Sequence, residues 1–355
     1  MKSLKYLLIL SVIISSCKKE EKESTVNLSK DYGEGMYVLT DQGVSFYNYL
    51  AVDTLRTLTE NIYKKVNNTD IIQPKSLHIS GKQAYIIGDK LYIANIETFG
   101  NEGVVGGFSN PVSCKKVDED RLYVVDKGSS LVKIVDLTEL EILGHIETGD
   151  SSMPTNIVGS WYRAFVMNEG GSTFADRDSS IVAIDYFQSG VPVNNFTGKI
   201  DILEYNPNSA VFSPTHLLVL CRGIYDTQNP SSNTTSSIYR IGAWSNIVYE
   251  FKDLTGVFNA DNLIINSAKS RLFFTAENGV YYTSLDWLIP HPHISGIDAS
   301  FLAVNTEQIN DSTWREYLYT NDANQSGLVL KYEAWTGDYA GSIQVNGTPI
   351  DISFY

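Results

Sequence analysis

An all-β ring, a seven-bladed β-propeller of four-stranded blades, is the fold this sequence predicts, and three observations carry the prediction. A strand–turn–strand unit recurs seven times, a repeat of roughly 37 to 54 residues, the spacing of a repeat architecture. A short strand, often led by proline, stands upstream of six of those units. One more such strand closes the chain with no hairpin behind it.

The unit is clearest at residues 121–149, RLYVVDKGSSLVKIVDLTELEILGHIETG. An apolar run (122–125) meets a polar turn at Lys127-Gly128-Ser129-Ser130, then an alternating run (131–137) and a third strand (140–146). Val, Ile and Tyr crowd these runs because β-branched and aromatic side chains fit a pleated surface. The same pattern starts at Met36 (MYVLTDQGVSFYN), Ala84 (AYIIGDKLYIANI), Arg163 (RAFVMNEGG) and His216 (HLLVLCRGIYD). It returns at Leu272 (LFFTAENGVYYTSL) and Tyr317 (YLYTNDANQSGLVLKYE). Each unit joins its strands through Gly, Asn or Asp, the residues of tight turns.

Upstream strands read PKSLHI from Pro74, PVSC from Pro111, PTNI from Pro154 and PNSAV from Pro207, with proline-free versions at 259–264 and 296–302. The hairpin at Met36 has no strand before it, while residues 348–355 (TPIDISFY) have no hairpin after them. A ring in which the last strand completes the first blade explains both facts and removes free sheet edges. A β-sandwich, the competing all-β fold, gives no reason for a regular repeat.

The chain has 355 residues, 43% hydrophobic and 19% charged, ordinary for a globular protein. Its net charge of −14 disfavours nucleic acid and anionic lipid headgroups as partners. Twenty-two Tyr and 14 Phe suit an all-β core with aromatics to spare for binding. Cys114 and Cys221 fall in different repeats and read as buried free thiols.

At the N-terminus, Lys2 and Lys5 precede a short apolar run (6–14) and Ser15-Ser16-Cys17, the marks of a secretory signal. The run is too short to cross a bilayer as a helix, which takes ~20 apolar residues. Ile14-Ser15-Ser16-Cys17 resembles a bacterial lipobox, which implies removal of residues 1–16 and acylation of Cys17. Plain secretion with an incidental Cys is the alternative. Residues 17–31 then form the lipidated Cys and a polar tether, and residues 32–355 the propeller.

The proline-led inner strand, the LYVVD-type second strand and the I-V-D third strand resemble those of the YncE-like propeller family. With the lipobox, the chain is similar to surface lipoproteins that capture scarce nutrients for TonB-dependent transporters. That resemblance implies an outer-membrane-anchored, surface-exposed protein that binds a cobalamin-like or siderophore-like small molecule and passes it to such a transporter. No ligand motif of that group maps residue by residue onto this chain.

In a four-stranded blade the second-to-third-strand turns and the blade-to-blade crossings emerge on one face, where binding residues are expected. Two such turns are long: 168–179 (NEGGSTFADRDS) and 222–237 (RGIYDTQNPSSNTTSS). Phe174 and Tyr225 stand in these polar loops as candidate ligand walls, with Glu169, Asp176, Arg222 and Asp226 as polar contacts. Lys127, Asn278, Asn321 and Asp322 are further candidates on that face. The bland reading is a rim loop whose aromatic lies flat, and a set of solvated turn residues. Trp161, Trp244 and Trp335 read as packing residues.

His291-Pro292-His293, read as a crossing loop, makes a weak metal site without a nearby Cys or acid. Asp176 and Asp178 resemble half of a calcium loop whose other oxygen ligands are missing. Neither metal nor cofactor is expected. The sequence contains no nucleophile elbow, HExxH, phosphate loop or Ser/His/Asp spacing, so the chain reads as non-enzymatic. A cell-surface interaction scaffold, or a propeller lyase or hydrolase with metal on the central axis, are the alternatives.

Overall fold

The structure, a computed structural model, describes residues 29–50, 56–160, 162–310 and 312–355. The leader, Cys17 and most of the tether lie outside the described residues, as does Trp161. The described strands form seven four-stranded antiparallel sheets. Blades 2 to 7 each take four strands in chain order, beginning at Ser76–Ser80, Pro111–Lys116, Pro154–Ser160, Pro207–Phe212, Asp261–Ile265 and Leu302–Asn310. Each of these first strands lies innermost and touches its counterparts in the adjoining blades, round to Pro349–Phe354 meeting Ser76–Ser80. The ring is therefore closed.

Blade 1 is the closing blade, with strand order Pro349–Phe354, Met36–Thr40, Gly43–Tyr47, Leu58–Thr59. Met36 pairs with Phe354 and Val38 with Ile352. Backbone N–H groups of Gly35 and Tyr355 each donate to the other's carbonyl at 3.1 Å. Chain start and chain end thus share one sheet, as the unpaired C-terminal strand required. The outer strand of this blade has only two residues, and a short helix, Ile62–Asn67, packs Ile62 and Tyr63 into the core beside it. No helix is expected from the sequence pattern there.

Second strands are buried over much of their length, and Arg121–Asp126 from end to end. A blade is covered on both faces by its neighbours, so alternate side chains enter different cores. Tyr123 and Val125 join Val166 and Val182 of blade 4, whereas Leu122 and Val124 join Tyr85 and Ile93 of blade 2. This accounts for continuous apolar runs where a half-exposed strand would alternate. Each such Val, Leu or Ile contributes about 1.5–3 kcal/mol by burial. Cys114 and Cys221 are free and buried in these layers, and burial pushes the Cys114 thiol up to about 12.

An arginine heading the second strand staples several blades to the next. Arg121 donates to Tyr186 O (2.8 Å), Arg163 to Trp244 O (3.0 Å) and Arg271 to Trp335 O (3.0 Å), each in the outer hairpin of the following blade. Lysine could not reproduce this fork of planar donors. The same contacts place Trp244 and Trp335 in third-to-fourth-strand turns, where both are largely exposed rather than core-packed, Trp244 beside Tyr162 and Trp335 beneath Arg271. His291–Ser295 is the fourth strand of blade 6, not a crossing loop, and His293 packs its ring against Phe273 and Tyr282. Burial lowers His293 to about 4. Among the described residues, no three His, Cys, Asp or Glu side chains cluster to hold a metal ion.

Candidate functional site

The two long turns differ in how far they depart from the sheet. In blade 4 the strands continue to Gly170 and resume at Arg177, so only residues 171–176 remain loop. In blade 5 the loop persists from Arg222 to Ser236, with one 3₁₀ turn at Pro230–Ser232. Asp226 accepts the N–H of Gln228 (2.8 Å) and of Asn229, which turns the chain locally. Asp176 accepts the Thr173 N–H (2.9 Å) and hydroxyl, and the hydroxyl bond holds its carboxyl below the ordinary range. Asp178 accepts the Ser180 N–H at 2.7 Å. All three acids are engaged in local turn bonds.

The structure does not bring the two candidate aromatics together. Phe174 meets Tyr205 edge to face at 5.8 Å, and the Arg177 guanidinium lies 3.6 Å above its ring. Tyr225 reaches across to blade 6, where its hydroxyl donates to Glu277 at 2.6 Å. That carboxylate raises the Tyr225 phenol above its ordinary value.

Three other candidates form one charged chain over four blades. Lys127 Nζ of blade 3 lies 2.8 Å from Glu169 of blade 4; Glu169 pairs with Arg222 of blade 5; Arg222 reaches Asp261 of blade 6 at 2.5 Å. Glu169 is buried. Burial alone would weaken the Arg222 cation, but Asp261 and Glu169 outweigh it and hold the guanidinium above its ordinary range. The Nε of Arg222 is buried with no hydrogen-bond partner.

Beside this chain a cavity of about 720 Å³ opens between blades 5, 6 and 7. Arg222, Tyr225, Asp261, Glu277, Asn278 and Asp298 line it, so three carboxylates face one guanidinium. Asn278 takes φ +75° in the two-residue turn that carries Glu277, a conformation Asn tolerates. Asn321 and Asp322 stand behind the wall. Asn321 accepts the Ser300 N–H (2.9 Å) and Asp322 the Asp298 N–H (3.1 Å), so both brace the crossing that borders the cavity.

Asp261, Glu277 and Asp298 escape the sequence reading, although one signal marks Asp261. It opens its inner strand opposite Thr275, the position taken by Pro111, Pro154, Pro207 and Pro349 in other blades. An acid replaces proline in the one blade where Arg222 needs a partner.

A second cavity, about 500 Å³, is the central channel, walled by the inner strands. Ser76 Oγ, His78 Nε2 and Asn156 Oδ1 are buried there without partners. Burial raises the Asp351 carboxyl to about 6 even though it accepts the N–H groups of Leu77 and Ile352. Burial, with Lys115 nearby, lowers His78 to about 4.

No protein-family model matches the chain, and no curated protein matches it in sequence. Solved structures do. A quinoprotein alcohol dehydrogenase-like protein from Bacteroides thetaiotaomicron is 14% identical, with a TM-score of 0.59 over 90% of this chain and 78% of that one. Hydrazine synthase from Kuenenia stuttgartiensis is 15% identical, with a TM-score of 0.57 over 80% of this chain and 90% of that one. At such identity the likeness establishes the β-propeller fold.

Proposed function

We propose that this protein is a non-enzymatic capture lipoprotein, anchored through Cys17 at the outer membrane and exposed at the cell surface. It holds a small polar nutrient in the cavity between blades 5, 6 and 7 and passes it to a TonB-dependent transporter. The observation that carries this reading is the cavity itself. It lies on the face nominated for binding, and the long blade 5 loop supplies two of its walls, Arg222 and Tyr225.

The lining favours one of the two nutrient classes. Three carboxylates against one already paired guanidinium repel an anionic ferric siderophore. A corrinoid presents a rim of neutral amides, which donate to Asp261, Glu277 and Asp298 without adding a charge that opposes theirs. Tyr225 offers a flat ring at the edge of the same space. Calorimetric titration of the purified protein with cyanocobalamin and with ferric siderophores tests the reading. Saturable corrinoid binding, weakened at least tenfold by Arg222→Ala, is expected; no binding by either class removes it.

A further inference from the structure

The face opposite the cavity, built from the first-to-second and third-to-fourth-strand turns, carries exposed tryptophans. Trp244, Trp287 and Trp335 occupy third-to-fourth-strand turns of blades 5, 6 and 7, and Trp314 lies near the start of the second strand of blade 7, Thr313–Thr320. They are 55, 73, 74 and 63% exposed, values that leave most of each ring in solvent. Tyr162 adds a fifth exposed ring from the corresponding turn of blade 4. Their backbones are held firmly. The Arg163 and Arg271 staples fix the turns of Trp244 and Trp335, and the Arg271 guanidinium lies 4.1 Å over the Trp335 ring.

Two features say what covers this arc. First, the exposed rings are spread around four successive blades, with Tyr162 and Trp244 meeting at 6.5 Å, a distribution suited to a broad, flat target. A protein hot spot gathers its aromatics in one central pocket instead. Second, the chain joins the ring on this same face. Tyr32 N–H donates to Glu97 O at 3.0 Å, and Glu97 pairs with Lys30 and with Lys82 at 3.4 Å. Glu97 and Lys82 belong to turns of blade 2 on the tryptophan side. Only eleven residues separate Cys17 from Ser29, a span of at most ~40 Å. A lipid at Cys17 therefore pulls this face toward the bilayer.

We infer that the tryptophan arc of blades 4 to 7 is a membrane-docking face that seats in the interfacial layer of a zwitterionic bilayer. Trp and Tyr rings favour that layer because they present an apolar body and a polar edge. Acids at Asp118, Glu119, Asp120, Asp136 and Glu139 crowd the blade 3 turns of the same face, so an anionic surface is disfavoured. The inference rests on the proposed anchor for its direction of pull. Its consequence is that the cavity faces the medium in the docked state, ready to capture, and delivery requires the ring to tip on its tether.

The test separates the docking face from the anchor. The mature chain, residues 17–355, carrying Cys17→Ser, which cannot be acylated and lacks the apolar leader, is mixed with phosphatidylcholine vesicles and with the same vesicles bearing brominated acyl chains. Vesicle binding is expected, with brominated lipid quenching the tryptophan emission. Adding Trp287→Ala and Trp335→Ala should lower the partition coefficient at least about tenfold, with the melting temperature unchanged. Equal partition of both chains, or emission indifferent to bromine, overturns the inference. Loss of a cross-linked membrane protein on substituting the tryptophans, without vesicle binding, overturns it in favour of a protein interface. Mass spectrometry of Cys17 in the native chain reads the anchor independently: an unacylated Cys17 with vesicle binding intact removes the anchor and leaves the docking face standing.

Discussion

Every strand of the ring runs from one face to the other, yet the two faces have opposite chemistry. On the cavity face, Lys127, Glu169, Arg222 and Asp261 link four blades through charge, and the exposed groups are carboxylates and amides. On the other face, blades are joined by arginines donating to carbonyls, and the tips of blades 4 to 7 present aromatic rings. The difference comes from which turns each face collects. Second-to-third-strand turns and crossings are placed by contacts between blades, so an acid in one blade can answer an arginine in the next. Third-to-fourth-strand turns on the opposite face are held through their backbone carbonyls, so the ring at the tip keeps most of its surface exposed.

The contrast presupposes a closed ring, and the largest expected effect comes from opening it. Ending the chain at Gly347 removes the inner strand of blade 1 and bares the Met36–Thr40 edge. The loss should exceed about 5 kcal/mol, comparable to the whole stability of a domain, and the product should aggregate. Retained solubility with an unshifted cooperative melt would break the comparison at its base.

The channel between the faces titrates. Asp351 has a folded value of about 6, above its ordinary unfolded one, so its protonated form favours the fold. That stability is present below about pH 4 and lost as pH rises through 6, on the order of 3 kcal/mol at neutral pH. Asp351→Asn should abolish this slope, measured as the pH dependence of denaturant midpoints relative to the parent. His78, lowered to about 4, acts in the opposite sense, and its contribution is lost as pH falls below 6.5. Parallel curves for parent and variant would show that Asp351 titrates normally.

On the cavity face alone, Arg222→Ala leaves Glu169 buried with Lys127 as its remaining partner. Because Arg222 is partly exposed, the expected loss is about 1–3 kcal/mol by denaturant titration. Pairing it with Asp261→Asn should recover part of that loss, since the variant no longer isolates a carboxylate. Smallest of all, Tyr225→Phe removes one hydrogen bond to Glu277 and should weaken ligand binding by about fivefold with little change in stability.

The ring was legible because its repeat is written in local pattern: apolar second strands, turn residues and a spare strand at the C-terminus. Arg222 and Tyr225 stood out because their loop interrupts that pattern, and both line the cavity. Glu169, a candidate polar contact, is buried between two cations, a placement that depends on blades 3 and 5 meeting blade 4. Phe174 stood out as a lone aromatic, but its partners Arg177 and Tyr205 are set by the strand extension and by a crossing. Glu277 and Asp298 were illegible, since their function arises only when blades 5, 6 and 7 come together. The tryptophans misled because large aromatics are ordinarily core residues, and only turn geometry places them outside.

Amide hydrogen exchange with and without saturating cyanocobalamin tests the central claim most directly. Ligand should slow exchange in residues 222–236, 259–262, 277–279 and 296–300, the borders of the cavity, and leave the tryptophan turns untouched. Protection confined to the tryptophan face, or no protection anywhere, would contradict it.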